Sequence, residues 1–557
     1  MQADQAKGLR PLGNRISVPS ALSRPALLAQ LSTGLLLAAF YGIFIQRTSF
    51  EFDGERVYTL FDDAMISMRY AQNLAAGQGL TWNAGETAVE GFSNPLWTLW
   101  MAVLHLLGLA QNVVSLYVSI SSAALLVATA FTLRALARML YPEQSIIAVF
   151  AFWGTAAYYP LVSWSLRGME VGLIALLLSL ATLLALQLER RFESRSLGLL
   201  SCVLGLGILS RMEFAAPAML VSVFVVWRAG EHRHRAARYL GLSILGALLA
   251  LTAARLWYYG EWLPNTYYLK LGGVDLSARL SRGLGYLGLV GLLHLNLLLL
   301  LALAYSMLRR LQLLPGEWLL IGIFVLLSAY SAWVGGDAWD HYGFANRYIA
   351  PGVPLLGIVA LRGAAALTAS GRGRLFWLAT GALWLSLNLL PMLVWLRDGA
   401  LHSRGDAAWA ALGLSMQGTT ASDATIAVTW AGNLTYFSQR RTLDQLGKTD
   451  AVIAHGPNVS QSFRPGHSKW NFTRTFAELR PDLIAALYYA TEDDFKTIEG
   501  WGYRRLAGNC FYRADTTKLD LAGLRSSLMM IEATPELGGV LCRPQAAGSY
   551  APPWLPE

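Results

Sequence analysis

Long apolar runs separated by short basic clusters dominate the chain up to residue 396. A helix needs about 20 mainly apolar residues to cross the hydrocarbon of a bilayer. Runs of that kind predict spans at 25–46, 113–133, 144–161, 171–188, 196–210, 214–228, 239–257, 284–307, 316–334, 352–370 and 375–396. With the N-terminus in the cytoplasm, alternate connections carry Arg134 and Arg138, then Arg190, Arg191 and Arg195, then Arg228, Arg233, Arg235 and Arg238. Arg309 with Arg310, and Arg372 with Arg374, fall on the same side, the distribution that orients membrane helices with their basic ends inward. Pro95–Leu109 is also apolar, but counting it as a span would reverse every later helix and export those arginines. It is therefore expected to lie along the outer interface, where Trp97 and Trp100 suit the boundary between lipid and water.

The pattern thus predicts a polytopic α-helical membrane protein of about eleven spans. Residues 1–24 form a cytoplasmic N-terminal segment, 25–396 the membrane domain, and 47–112 its first extracytoplasmic loop. Lys7, Arg10, Arg15 and Arg24 precede the first apolar run without a small-residue cleavage site after it, so an uncleaved first helix is expected. Beyond residue 397 the long runs stop. Ala424–Thr429 alternates like a strand and Gly432 follows it, which predicts an extracytoplasmic α/β domain over 397–557.

Composition agrees with a lipid solvent: 55% of the 557 residues are apolar and 14% charged, and mean hydropathy is positive. The net charge of +9 sits in loop clusters that encode topology, so no nucleic-acid partner is expected. Three cysteines make no metal cluster. A Cys510–Cys542 bond is open to form if the tail lies outside the reducing cytosol.

The loops on the outer side collect the unusual polar motifs. The first holds Phe61-Asp-Asp-Ala-Met-Ile-Ser-Met-Arg-Tyr-Ala71 and Val89-Glu-Gly-Phe-Ser-Asn-Pro-Leu-Trp97. Later ones hold Ser163-Trp-Ser-Leu-Arg-Gly-Met-Glu170, Ser210-Arg-Met-Glu213, Gly260-Glu-Trp-Leu-Pro-Asn-Thr-Tyr-Tyr268 and the stretch from Gly335 to Tyr348. Two adjacent carboxylates near a membrane interface repel each other and lose solvation, which raises the proton affinity of one of them unless it is compensated. An aspartate before a helix commonly caps it. Here the pair sits among aromatic and amide residues, and matching polar groups recur on the same side, as at the mouth of a cavity.

The Phe61–Ala71, Val89–Trp97 and Gly260–Tyr268 motifs, with Gly335-Gly-Asp337 and Gly466-His-Ser-Lys-Trp470, resemble the GT-C glycosyltransferases, and most closely the family of the mycobacterial cell-wall terminal β-arabinofuranosyltransferase. The resemblance runs in order from about residue 25 to 490, and Met65 departs from it where an aromatic residue is expected. It implies an enzyme of the bacterial cytoplasmic membrane with its site on the outer face. Such an enzyme moves a sugar, arabinofuranose by resemblance, from a polyprenyl-phosphate donor to a glycan or glycoprotein acceptor with inversion. Phosphate leaves as a stable anion, so one carboxylate suffices to take the acceptor's proton, a contribution of about 10²–10⁴-fold. By resemblance Asp62 is assigned as that base and Asp63 as its neighbour. Arg347, then Lys270, Arg211, Arg69 and His341, are the cations expected at the donor phosphate. Glu90, Asn94, Trp164, Glu170, Asn265, Tyr268, Asp337, His467 and Lys469 are the candidates for sugar and acceptor. Trp262, Trp333 and Trp339 are further ring platforms, and Asn265 after Pro264 leans toward loop architecture.

Asp337, Asp340 and His341 make a loose metal pattern without a histidine pair. The expectation is no cofactor and no essential metal, with divalent-metal dependence left as a question for experiment. Two rival classes remain at this stage. A lipid-linked-sugar transporter or flippase would place ionisable groups near the bilayer midplane. A non-catalytic envelope or motility protein would have little use for a dense carboxylate and aromatic mouth.

Overall fold

The computed structural model describes residues 24–293, 312–340, 345–369, 388, 393, 401–460, 462–535, 537 and 541–542. His341, residues 1–23, most of the expected span 375–396 and the second half of 284–307 lie outside them. Contacts divide the chain into a unit ending at Gly42 and a second running from Ile43 to Glu557. The first contains most of one helix, Arg24–Gln46.

The second unit is helical through the membrane part. Among the described residues, Val114–Leu140, Val171–Arg190, Gly230–Tyr259 and Pro315–Val334 are long and apolar enough to cross a membrane. The expected span 144–161 is a broken one: Ser145–Ala156 and Tyr159–Leu166 meet at a 43° bend. Pro160 in the first turn of the second piece suits a helix start rather than a helix interior. That short piece is buried along its whole length, which takes Trp164 out of the lipid and into the protein. Ser194–Ser210 and Val353–Ala369 are shorter apolar helices. Pro95–Leu106, the stretch expected along the interface, is a 12-residue helix, too short to span. Pro315–Val334 ends where Gly335 takes φ 89°, a left-handed turn that costs glycine nothing. The Gly335–Asp337 loop can thereby double back toward the first loop. Leu133, Leu136, Leu177, Leu178, Leu200, Leu204, Leu320 and Ile323 form a continuous apolar core among these helices.

The first loop opens with a hairpin, β1 (Ser49–Phe52) against β2 (Glu55–Tyr58), and continues into the helix Asp62–Ala75. The tail contains a five-stranded mixed sheet in the order β4-β3-β5-β7-β6, built from Thr425–Val428 (β3), Arg441–Asp444 (β4), Leu483–Ala485 (β5), Tyr503–Ala507 (β6) and Cys510–Arg513 (β7). β3 runs parallel to β4 and β5, while β7 is antiparallel to β5 and β6. The strand expected at Ala424–Thr429 is β3. A disulfide joins Cys510, at the start of β7, to Cys542. The molecule is thus a multi-pass helical membrane protein with a C-terminal α/β domain.

Candidate functional site

The helix Asp62–Ala75 begins with its two acids in the first turn, where the helix dipole favours negative charge. Successive residues on a helix diverge by about 100°, so the two carboxylates point in different directions. Asp62 turns into the tail: its oxygens accept the backbone N–H of Gly432 at 3.1 Å and of Asn433 at 2.8 Å. Asp406 lies alongside, accepting the Asp62 N–H at 3.2 Å and pairing with Arg167 at 2.7 Å. Burial pushes Asp62 up to about 6 against the lowering pull of Lys448 and the amides. Burial likewise raises Asp406 to about 7, with Arg167 opposing. Asp62 is therefore a buried clasp between first loop and tail, and it does not line the cleft beside it.

Asp63 does. Lys448 Nζ donates to it at 2.8 Å, Arg347 Nη1 at 3.1 Å and Trp339 Nε1 at 3.2 Å. Burial alone would raise this carboxyl, but Lys448 and then Arg347 hold it well below the usual carboxylate range. Arg347 is oriented in turn by Asp337, 3.2 Å from its Nε, and lies over the rings of Trp164 and Tyr348. Trp339 and Trp164 both meet the Phe61 ring edge-on. Buried Asp340 accepts the Asp337 N–H at 2.7 Å and fixes the loop that presents these groups.

The cleft is lined by Asp63, Asn94, Glu170, Arg211, Lys270, Arg347, Lys448 and His467 among others. Four cations face two carboxylates there. Burial, with Arg464 and Lys448 near, pushes the His467 imidazole well below its ordinary value, so it is neutral and adds no charge. One wall is a relay: Ser67 donates to Asn94 at 2.9 Å, Asn94 to Glu170 at 2.8 Å, and Glu170 pairs with Arg211. Lys270 reaches the Tyr348 hydroxyl at 3.4 Å. On the other side of Glu170, Arg211 and Arg347 lies a second groove, apolar, lined by Val171, Ile174, Leu178, Phe214, Pro217 and Leu327. The same three charged residues line both spaces.

Several expected residues are engaged elsewhere. Arg69 donates to the carbonyls of Trp82 and Arg440, so it braces the loop against the tail. Glu90 is locked to Arg255, away from the cleft. Asn265 donates to the carbonyls of Gly447 and Lys448, both at 2.9 Å, and so holds the Lys448 turn in place. Tyr268 lies over His455 and donates to Glu261. Lys469 is buried, bonded to the carbonyls of Ala454 and Tyr268. Trp262 is 67% exposed and Trp333 lies under Arg279 at the surface. Among the described residues no three His, Cys, Asp or Glu side chains are grouped to hold a metal ion.

Lys448, beside Asp63, and Asp406 and Arg167, beside Asp62, are neighbours of the aspartate pair that sequence reasoning missed. Lys448 stands 385 residues from Asp63, in a Leu-Gly-Lys-Thr turn with no distinguishing spacing. The one available signal was the tail's glycine-rich turns, which carried no indication of what they face.

The chain is similar to several known proteins. Residues 402–517 match a family described as "Domain of unknown function (DUF8728)". A stretch of 234 residues is 27% identical to the terminal beta-(1->2)-arabinofuranosyltransferase of Mycobacterium tuberculosis, covering 40% of this chain and 36% of that protein. The match thus spans about a third of the relative's length. Among solved structures, ArnT from Cupriavidus metallidurans bound to undecaprenyl phosphate superposes with a TM-score of 0.52 at 12% identity, over 88% of this chain and 99% of that one. The Archaeoglobus fulgidus oligosaccharyltransferase in complex with Zn and sulfate superposes with a TM-score of 0.50 at 12% identity, over 84% of this chain and 69% of that one.

Proposed function

We propose that this chain, which has the fold of the GT-C glycosyltransferases, transfers a sugar from a polyprenyl-phosphate donor to a glycan or glycoprotein acceptor with inversion. The observation that carries this reading is the junction of the two spaces. An apolar groove and a polar cleft meet at Arg211 and Arg347, as a ligand with a hydrocarbon tail, an anionic head and a hydroxylated end would require. The ArnT structure similar to this one holds undecaprenyl phosphate, which supports the same donor class here.

In the proposed reaction the phosphate sits against Arg347 and Arg211, with Lys270 near. Arginine suits this because its fork matches phosphate oxygens. The acceptor oxygen attacks the anomeric carbon opposite the phosphate. As that bond forms and the carbon–phosphate-oxygen bond breaks, the acceptor proton passes to Asp63 and the electron pair leaves on the phosphate. We assign the base to Asp63 in place of Asp62, because Asp63 faces the cleft while both oxygens of Asp62 are occupied by tail amides. In the free protein Lys448 and Arg347 depress its basicity. A bound phosphate shares those cations and restores the carboxylate's affinity for a proton. The leaving charge is assigned to the chain's own cations, so chelation with EDTA is expected to leave the rate unchanged.

The donor sugar is assigned as arabinofuranose on the strength of the mycobacterial relative. The site and tail are placed on the outer face of the bacterial inner membrane, a placement supported by the inward basic clusters and by the Cys510–Cys542 disulfide, which needs an oxidising compartment. The test is purified chain in vesicles supplied with a panel of polyprenyl-phosphate sugars. Transfer to an acceptor from the arabinofuranosyl donor supports the reading in full. Transfer from another sugar corrects the donor, and movement of donor between leaflets without transfer replaces the reading by a flippase.

A further inference from the structure

A separate groove lies in the tail. It is open to solvent and lined by Trp470, Asn471 and Thr473 from one segment and by Asp494, Thr497 and Trp501 from another. No lysine, arginine or histidine lines it among the described residues. That is the opposite of the cleft, where four cations gather, so this groove does not suit phosphate or another anion. Its lining joins two indole rings and apolar side chains such as Val459 and Phe472 to the groups of Asn471, Thr473, Asp494 and Thr497, a mixture that suits a ligand with apolar C–H faces and many hydroxyls.

Groove and cleft draw their walls from the same segment of the tail. Pro465, Gly466 and His467 line the cleft, and Trp470 lines the groove three residues later on the same segment. The rings of His467, Tyr488 and Trp470 follow one another at 6.2 and 5.7 Å. On the facing side the helix Ala451–His455 stacks its last residue on Tyr268, one residue before cleft-lining Leu269 and Lys270. Ile453 of the same helix lines the groove.

We infer that the groove walled by Trp470 and Trp501 binds the body of a neutral oligosaccharide acceptor whose end reaches Asp63. The inference rests on the transfer reading for the identity of the bound end, and on the groove alone for the class of ligand. It makes the tail a device that selects acceptors by length: a chain of several sugars fills groove and cleft together, while a single sugar fills the cleft alone.

The experiment uses the full chain in nanodiscs, titrated calorimetrically with neutral hexasaccharides of arabinofuranose, mannose and glucose and with the corresponding methyl glycosides. At least one hexasaccharide is expected to saturate the wild type. Trp501→Ala and Thr497→Trp are each expected to weaken it at least tenfold while leaving the methyl glycoside unaffected. Thr497→Trp fills the groove from an exposed helix face without removing a packed ring, so it reports even where Trp501→Ala fails to fold. Failure of all hexasaccharides to bind overturns the inference, as does equal binding by wild type and Thr497→Trp. Binding through the groove by a chain that transfers no sugar sinks the transfer reading and leaves the groove standing. Transfer to a hexasaccharide at an unchanged KM in Thr497→Trp overturns the groove alone.

Discussion

Asp63 is held by three donors from two distant parts of the chain, Arg347 and Trp339 from the Gly335–Tyr348 loop and Lys448 from the tail. Each has a separable effect. Lys448→Met removes the strongest single pull on the Asp63 carboxyl, so its proton affinity rises. Because kcat/KM reports the free enzyme's groups, the acid limb of its pH profile moves upward in that variant, from below about pH 4 toward the ordinary carboxylate range or above. The same variant loses on the order of 10²-fold in kcat/KM near neutrality, the scale seen when a preorganised donor is removed. A profile that keeps its acid limb in place would show that Lys448 does not bear on the base. The aspartate pair was visible in the sequence, but which member faces the cleft was not. That depends on the roll of one helix, set by amides about 370 residues away.

At the level of elements, the first-loop helix Asp62–Ala75 packs against the Asn433–Ser438 helix of the tail. The contact is close enough that a Cβ on Gly432 would stand 1.9 Å from the Asp62 carbonyl oxygen. Gly432→Ala is accordingly expected to cost about 1–3 kcal/mol by overpacking, read as a lower midpoint of thermal unfolding. Asp62 and Asp406 give the same contact a pH dependence. Their folded values of about 6 and about 7 exceed that of an unfolded aspartate. The stability they contribute is therefore complete in acid and is lost as pH rises through 6 and 7. The unfolding midpoint should fall from about pH 4 to about pH 7 and level off above it, and Asp406→Asn should flatten the upper part of that slope. An unfolding midpoint independent of pH in the wild type would contradict the clasp. The long apolar helices were readable from composition alone, as was β3 from its alternation. The break between Ser145–Ala156 and Tyr159–Leu166 was not, because an apolar window averages across a bend.

For the molecule as a whole, the membrane helices carry the apolar groove and the Arg211–Glu170 pair, and the tail supplies Lys448 and His467 to the same cleft. The apolar runs were enough to predict long helices, but not their ends: Val114–Leu140 takes in Arg134 and Arg138, and Arg233–Tyr259 takes in Arg235 and Arg238, basic residues expected in the connections. The long-range pairing of tail to first loop left no periodic trace in the sequence. Integrity of the tail is then a condition for activity. Replacing Cys510 and Cys542 by serine, which opens a cross-link spanning 32 residues, should destabilise the tail by about 2–4 kcal/mol. Limited proteolysis of membranes should show faster cleavage after residue 400, with activity lost in parallel.

The central claim is that Asp63 takes the acceptor proton while Asp62 holds the tail in place. Single-turnover transfer from a polyprenyl-phosphate sugar, measured for wild type, Asp62→Asn and Asp63→Asn at matched amounts of folded protein, tests it most directly. The account predicts that Asp63→Asn loses about 10²–10⁴-fold in rate with an unchanged unfolding midpoint, and that Asp62→Asn unfolds at lower temperature yet keeps its rate within tenfold while folded. Wild-type rate in Asp63→Asn, or an inactive Asp62→Asn of wild-type stability, would contradict it.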